Sequence, residues 1–147
     1  MRLAAPAAIL LVSACASAPG ASHVWQDDRS FDALSTTAMA ITGPIAFSGG
    51  TLVFNGTETV GIESLGTQPG AWGDDGGEAT AEVFRMASDP GTLLNGNTLC
   101  GGTARYAVFY QDDTLGPTLA ALFFESEDAP SNADSPGLCG TFSYAID

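Results

Sequence analysis

The side chains that could do chemistry in this chain of 147 residues are mainly carboxylates. His23 is the only histidine, and there is no lysine. A serine or cysteine nucleophile usually needs a histidine base, and a Schiff base needs a lysine amine. No glycine-rich phosphate-binding loop and no Gly-x-Ser-x-Gly elbow occurs in the sequence. The composition therefore indicates no cofactor and leaves paired carboxylates as the one catalytic set to consider.

Paired carboxylates catalyse glycoside hydrolysis, in which two acids flank the bond that breaks. The acids of this chain are grouped in segments predicted as loops, namely Asp74-Asp75 with Glu78, Asp112-Asp113, and Glu125, Glu127 and Asp128. Adjacent acids in turns are usually solvated residues that favour the turn. We therefore expect the protein not to be an enzyme, with a carboxylate-based hydrolase as an alternative that requires two acids converging in a pocket.

Residues 66–78 are predicted as a long polar loop that contains Trp72, Asp74 and Asp75. Long loops in compact domains are often functional, which makes these three residues a candidate ligand or partner site. The acids up to Glu78 would suit calcium, but their spacing does not match an EF-hand loop, so a plain turn is expected. Trp72 either packs on the core as a lid or offers its ring to a ligand.

The three cysteines predict one disulfide and one further cysteine that is not part of it. Cys15 lies near the N-terminus, and its lipidation or removal leaves Cys100 and Cys139 as a pair. Neither has a second cysteine or a histidine at metal-ligand spacing, so no metal site is expected. A disulfide across this loop would stabilise the fold by about 3–4 kcal/mol. Two separate buried thiols are the alternative.

Residues 1–14 have the pattern of a bacterial signal peptide, with one arginine followed by an apolar run. Residues 12–15, Val-Ser-Ala-Cys, resemble the lipobox of bacterial lipoproteins, which implies cleavage before Cys15 and lipidation of that cysteine. The residue after it, Ala16, is not aspartate, which in lipoproteins implies sorting to the outer membrane. Ordinary cleavage after Ala16 is the alternative. The expected location is the periplasm or the outer membrane, with membrane contact only through the lipid.

The formal net charge of −13 limits the partners of this protein. After the signal peptide the only basic residues other than His23 are Arg29, Arg85 and Arg105. Arg105 is expected on a strand, facing Glu82 or Glu125 in a structural ion pair, with a ligand anchor as the alternative. Such a chain repels nucleic acid and anionic lipid headgroups, so neither is an expected direct partner. It favours encounter with a cationic envelope protein. Solubility or a salty habitat also accounts for the charge, which does not identify a partner or an oligomeric state.

The elements that position these residues are predicted as short strands. Apolar and β-prone runs separated by Gly, Pro and Asn-Gly turns are typical of a small antiparallel barrel or sandwich of six to eight strands. The predicted strands cover residues 38–41, 45–47, 51–54, 57–65, 79–86, 103–110, 119–124 and 141–146. The run at 119–124 also fits a helix, but its shortness and two phenylalanines favour a strand.

Two local details follow from turn and cap residues. Ser30 is a candidate N-cap for one helical turn over residues 30–34. At Asn55-Gly56, a three-residue turn with a bulge is favoured, because it places Leu52, Val60 and Ile62 on one face. The favoured pairing is Leu52 with Glu58 and Gly50 with Val60.

The chain also carries two similar cysteine segments. They are residues 95–101 (Asn-Gly-Asn-Thr-Leu-Cys-Gly) and 138–144 (Leu-Cys-Gly-Thr-Phe-Ser-Tyr). Together with residues 37–43 and the pair Trp72-Gly73, they resemble short exported proteins of alphaproteobacteria that have no assigned activity. The resemblance covers most of residues 36–146 and implies an exported β domain without implying a function. A meander of strands would place Cys100 and Cys139 at the same end of the sheet, just before their strands.

The expected organisation is a signal peptide over residues 1–14, a flexible tether over 15–30 and one β domain over 31–147. Trp25 is expected to begin the folded part. The expected role is a non-enzymatic binding or structural module of the envelope. The alternatives are an acidic inhibitor of a cationic hydrolase such as lysozyme, and the carboxylate-based hydrolase.

Overall fold

The computed structural model describes residues 23–26 and 28–147. The expected signal peptide and the expected lipidation site at Cys15 lie outside these residues. Part of the expected tether lies within them, and there Trp25 is buried in the core. Among the described residues, packing therefore includes Trp25, several residues ahead of the first strand. No helix among the described residues is long and apolar enough to span a membrane.

The described chain forms one antiparallel sheet of eight strands, and each strand pairs with the next along the chain. The strands are β1 (Ser30–Phe31), β2 (Ile45–Ser48), β3 (Thr51–Phe54), β4 (Glu58–Ala71), β5 (Glu78–Met86), β6 (Tyr106–Asp112), β7 (Thr118–Phe124) and β8 (Leu138–Ala145). One short helix, α1 (Thr36–Ile41), lies between β1 and β2. The predicted all-β class is confirmed, in the form of a single sheet that is not closed by a continuous ladder.

The inner face of the sheet holds the larger core, which we call the inner core. It contains large aromatic residues from several strands, and their rings meet edge to face, as between Phe109 and Phe123 at 6.4 Å. Most of the predicted strand at residues 141–146 is confirmed as part of β8, where Phe142 and Tyr144 are buried. The expected strand at residues 119–124 is also confirmed, as β7.

The strands β5, β6 and β7 are buried on both faces. Their outward residues pack into a second cluster, the outer core, which includes Val108, Tyr110 and Leu122. Trp72 covers this cluster, and Ala133 from the β7–β8 loop packs against it. Burial on both faces explains why β7 is apolar throughout rather than alternating.

The two edges of the sheet approach one another. The segment after β1 bonds to β8: Leu34 N donates to Ser143 O at 2.9 Å, and Ala145 N donates to Asp32 O at 2.9 Å. Ala33 and Tyr144 form an isolated antiparallel bridge between these hydrogen bonds. The sheet therefore curls around the inner core, with its edges joined over a few residues only.

The first strand and the first helix lie at different residues from those predicted. Residues 30–34 were expected as a helical turn, but Ser30 and Phe31 form β1. Residues 38–41 were expected as a strand, but they belong to α1. The N-cap is Ser35, whose Oγ accepts from Ala38 N at 3.2 Å. This cap favours a helix over residues 36–41, and Ala38 of that helix is buried in the inner core.

The hairpin at Asn55-Gly56 has the expected three-residue turn, but the predicted pairs were wrong by two residues. The structure pairs Leu52 with Val60 and Phe54 with Glu58. Leu52 and Val60 are both buried, so the expected face is confirmed. A shift of two residues preserves the face, because side chains alternate with a period of two.

Strand β4 is longer than predicted. It was expected to end at Leu65, with a loop over residues 66–78, but it continues to Ala71. A bulge between Ser64 and Thr67 interrupts the register, and pairing with β5 then resumes. Gly66 lies in this bulge with φ of +103°, a conformation that glycine adopts readily. The connecting loop is therefore confined to residues 72–77.

Candidate functional site

The disulfide between Cys100 and Cys139 is present, with a Cα–Cα distance of 5.0 Å. Cys100 lies in the loop that precedes β6, as predicted, but Cys139 lies within β8 rather than before it. Both sulfurs and the Glu125 carboxylate lie within 4.8 Å of one another, the only such group of possible metal ligands among the described residues. Because the two sulfurs are bonded to each other, they offer no thiolate to a metal.

The candidate loop residues divide into a buried and an exposed set. Trp72 has no exposed surface, and its indole N–H donates to Gln68 O at 3.0 Å. The indole is therefore part of the outer core and presents no face to a ligand. Asp74 and Asp75 are exposed in a tight turn that a hydrogen bond from Gly76 N to Gly73 O closes at 2.9 Å.

A second acidic turn lies at the same end of the sheet. The register of β5 with β6 pairs Glu82 with Phe109, which brings the start of β5 beside the end of β6. We call this region the acidic end, and its exposed or half-exposed carboxylates are Asp74, Asp75, Glu78, Asp112 and Asp113.

Both acidic turns act electrostatically on one tyrosine. Tyr110 lies on β6 just below them, and its pKa is raised to about 12, first by burial and then by Asp74 and Asp112. Hydrogen bonds from the side chain and backbone of Thr114 lower the pKa of the Asp112 carboxyl. Asp112 is therefore ionised at neutral pH, and one phenol experiences the negative charge of both turns.

A cleft of about 400 Å³ lies toward the opposite end of the β5–β6 pair. We call it the arginine cleft, because Arg85 and Arg105 both line it. Its other lining residues are Met86, Ala87, Ser88, Thr103, Ala104, Tyr106 and Glu127. Arg85 faces Glu63 across the β4–β5 ladder, with Arg85 Nη1 4.0 Å from Glu63 Oε2. Their side chains are 56% and 72% exposed, so this ion pair is weak.

A buried carboxylate, Glu82, projects toward the inner core. Ser64 Oγ donates to Glu82 Oε1 at 2.6 Å, and the Trp25 indole N–H donates to Glu82 Oε2. The sequence predicted that Arg105 faces Glu82 or Glu125. Among the described residues Arg105 makes no ion pair, and Glu125 Oε2 accepts instead from Gly102 N at 3.1 Å.

Carboxylates do not converge in the arginine cleft or in a smaller cleft at the start of β4. The arginine cleft is lined by a single acid, Glu127, and the smaller cleft, of about 160 Å³, is lined by Glu58 alone. Two acids on opposite sides of a bound sugar, as glycoside hydrolysis requires, are therefore absent from these clefts.

Sequence reasoning identified the acidic turns but missed the arginine cleft. The cleft combines residues from the end of β5, the segment before β6 and the β7–β8 loop, which are far apart in the chain. The available signal was the scarcity of basic residues, two of which lie near predicted strand ends. The chain matches no protein-family model, no curated protein and no solved structure.

Proposed function

We propose that the protein is a non-enzymatic binding module of the bacterial envelope that recognises a cationic protein through its acidic end. Export by residues 1–14 and lipidation of Cys15 place it in the periplasm, at the outer membrane. The signal-like N-terminus supports this location, and a disulfide in the folded part is compatible with an oxidising compartment.

The observation that carries the proposal is the convergence of two acidic turns. Four of the carboxylates are adjacent pairs, Asp74-Asp75 and Asp112-Asp113, and they are contributed by different hairpins. Rigid strands hold both turns at one end, so a partner meets their charges together. Clustered exposed charge increases the rate of encounter with an oppositely charged protein and makes it dependent on salt.

An inhibitor of a cationic hydrolase such as lysozyme is the specific form of this function. The carboxylates of the acidic end lie on two turns where they are accessible to a cationic enzyme. The hydrolase alternative has weaker support, because each cleft offers one carboxylate.

The test measures binding of hen lysozyme, as a cationic probe, to the disulfide-bonded protein by calorimetry at low and moderate salt. The double variant Asp74→Asn and Asp75→Asn should bind at least about fivefold more weakly than the wild type at low salt. The matched control is Glu58→Gln with Asp128→Asn, which removes the same charge from exposed positions away from the acidic end. Equal losses in both variants, or no binding by the wild type, would reject the acidic end as the recognition surface.

Location has a separate test. Expressed with its full N-terminus in a bacterium, the wild type should fractionate with the outer membrane, and Cys15→Ser should be released to the soluble periplasm. Mass spectrometry of the wild type should show a lipid on Cys15. A wild-type protein that starts at Ser17 and carries no lipid would contradict the anchor.

A further inference from the structure

Basic residues are scarce in this protein, and their placement is uneven. Arg85 and Arg105 are two of the three arginines among the described residues, and both line the arginine cleft. An arginine guanidinium presents a planar set of donors that matches a carboxylate or phosphate group. The arginine cleft is therefore bordered by two of the three arginines of the described chain.

Hydrogen bonds fix the walls of the cleft. Met86 N donates to Arg105 O at 2.8 Å, and Ala104 N donates to the Asp89 carboxylate at 2.7 Å, which ties the end of β5 to the segment before β6. Tyr106 OH donates to Glu127 O at 2.8 Å and ties the β7–β8 loop to the same strands. A preformed cleft loses little conformational entropy when it binds a ligand.

The chemistry of the lining limits the ligand. A volume of about 400 Å³ accommodates a small molecule rather than a bare ion. The hydroxyls of Ser88 and Thr103 can hydrogen-bond a polar body, and neither residue is buried. A sugar-sized molecule with several hydroxyl groups fits this lining better than an apolar one.

Charge favours a ligand with a single negative group. Near Arg85 and Arg105 lie the carboxylates of Glu63, Glu127 and Asp89, so the acidic side chains around the cleft outnumber its two arginines. The whole chain has a net charge of −13, which repels a dianion more strongly than a monoanion. A carboxylate is therefore favoured over a phosphate monoester, which carries more charge at neutral pH.

We propose that the arginine cleft binds a small hydroxylated molecule that carries one carboxylate, with Arg85 and Arg105 as its anion-binding residues. In the structure Arg85 Nη1 lies 4.0 Å from Glu63 Oε2. The ligand carboxylate then replaces Glu63 on the guanidinium. This site is separate from the acidic end and does not depend on its function.

The first experiment compares three probes on the disulfide-bonded wild type by isothermal titration calorimetry. Gluconate provides a carboxylate on a hydroxylated chain, glucose lacks the charge, and glucose 6-phosphate carries a phosphate. Gluconate should bind at least about tenfold more tightly than glucose and more tightly than glucose 6-phosphate. No binding of gluconate, equal binding of glucose, or tighter binding of the phosphate would each overturn the assignment.

The second experiment uses variants that change one charge. Arg85→Gln and Arg105→Gln should each weaken gluconate binding about tenfold. Arg29→Gln removes the same charge outside the cleft and should change the affinity less than about twofold. Glu63→Gln removes the competing carboxylate and should strengthen binding about two- to fivefold. Equal losses in all three arginine variants, or a loss in Glu63→Gln, would overturn the assignment.

A measurement on the wild type alone keeps the proposal testable if a variant does not fold. Gluconate should shift the backbone amide resonances of Ser88, Thr103 and Arg105 while leaving those of Asp74 and Asp75 unchanged. Shifts concentrated at the acidic end, or spread evenly over the surface, would overturn the assignment.

Discussion

Tyr110 and Tyr144 are both buried phenols, but different groups surround them. Tyr144 lies in the inner core, where burial raises its pKa, and its hydroxyl is 2.8 Å from Thr42 Oγ1. The pKa of Tyr110 is raised to about 12 by burial together with the carboxylates Asp74 and Asp112. Tyr110 is therefore a natural reporter of the acidic end, whereas Tyr144 reports only on the core.

The double variant Asp74→Asn and Asp112→Asn should lower the pKa of Tyr110 from about 12 toward its ordinary value of 10.0. Removing two negative charges makes the phenolate less unfavourable, although burial still opposes it. The measurement is tyrosinate absorbance as a function of pH. The control Glu58→Gln with Asp128→Asn should leave the Tyr110 titration unchanged, and an equal shift there would contradict the proposed proximity.

The same shift predicts how stability depends on pH. The folded state retains the Tyr110 proton up to a pH of about 12, whereas the unfolded chain releases it near 10.0. Above pH 10 the folded state therefore binds more protons, and the free energy of unfolding falls as pH rises toward 12. Urea denaturation across this range should show the fall, and Tyr110→Phe should reduce its slope. Equal slopes in both proteins would contradict the assignment.

At the scale of elements, Gly43 ends α1 in a conformation that few other residues tolerate. Its φ is +61°, and its N–H donates to Ala38 O at 2.8 Å. A Cβ at this position would lie 2.7 Å from Asn55 Oδ1. Gly49 has a similar φ of +53°, but a Cβ there would meet nothing within 4 Å. Both positions therefore require a left-handed backbone conformation, but only at Gly43 would a Cβ atom collide with a neighbouring side chain.

This difference predicts unequal effects of the same substitution. Gly49→Ala should lower the free energy of unfolding by about 1 kcal/mol through its positive φ alone. Gly43→Ala should cost at least about 1 kcal/mol more, because the new methyl group displaces the Asn55 side chain. Urea denaturation of both variants gives the comparison. Equal losses would show that the contact with Asn55 has no energetic effect.

The strands with the strongest patterns could be predicted from the sequence, and the elements that depend on tertiary contacts could not. Phe142 and Tyr144 alternate with polar residues, so β8 is visible in a local window. The extension of β4 beyond Leu65 is not, because it depends on pairing with β5 across a bulge at Gly66. Local propensity carries no information about such a partner.

The candidate sites show the same contrast. The acidic end could be anticipated in part, because Asp74-Asp75 and Asp112-Asp113 are adjacent pairs in turns. The arginine cleft could not, because it exists only after the end of β5 pairs with the segment around Arg105. The sequence did not predict α1, because Ser30 and Ser35 are equally suitable N-cap residues. In the structure Ser35 Oγ accepts from Ala38 N, and this hydrogen bond identifies Ser35 as the cap.

At the scale of the whole molecule, the disulfide closes a loop that contains β6 and β7. The sequence separation of its cysteines is 39 residues. Replacing both with alanine should lower the free energy of unfolding by about 3–4 kcal/mol, mainly because the unfolded chain gains freedom. Urea denaturation of the variant and of the wild type gives this value. Wild type treated with dithiothreitol should match the variant, and an unchanged stability would contradict the role of the bond.

The position of the disulfide also determines whether the fragments produced by proteolysis stay covalently joined. The exposed β7–β8 loop, residues 125–137, lies between the two cysteines, whereas the turn at residues 73–77 lies outside them. A single cut in the first segment leaves both fragments covalently joined, and they separate on a denaturing gel only after reduction. A single cut in the turn releases two fragments without any reductant. The gel pattern therefore reveals which of the two exposed segments a protease reaches first.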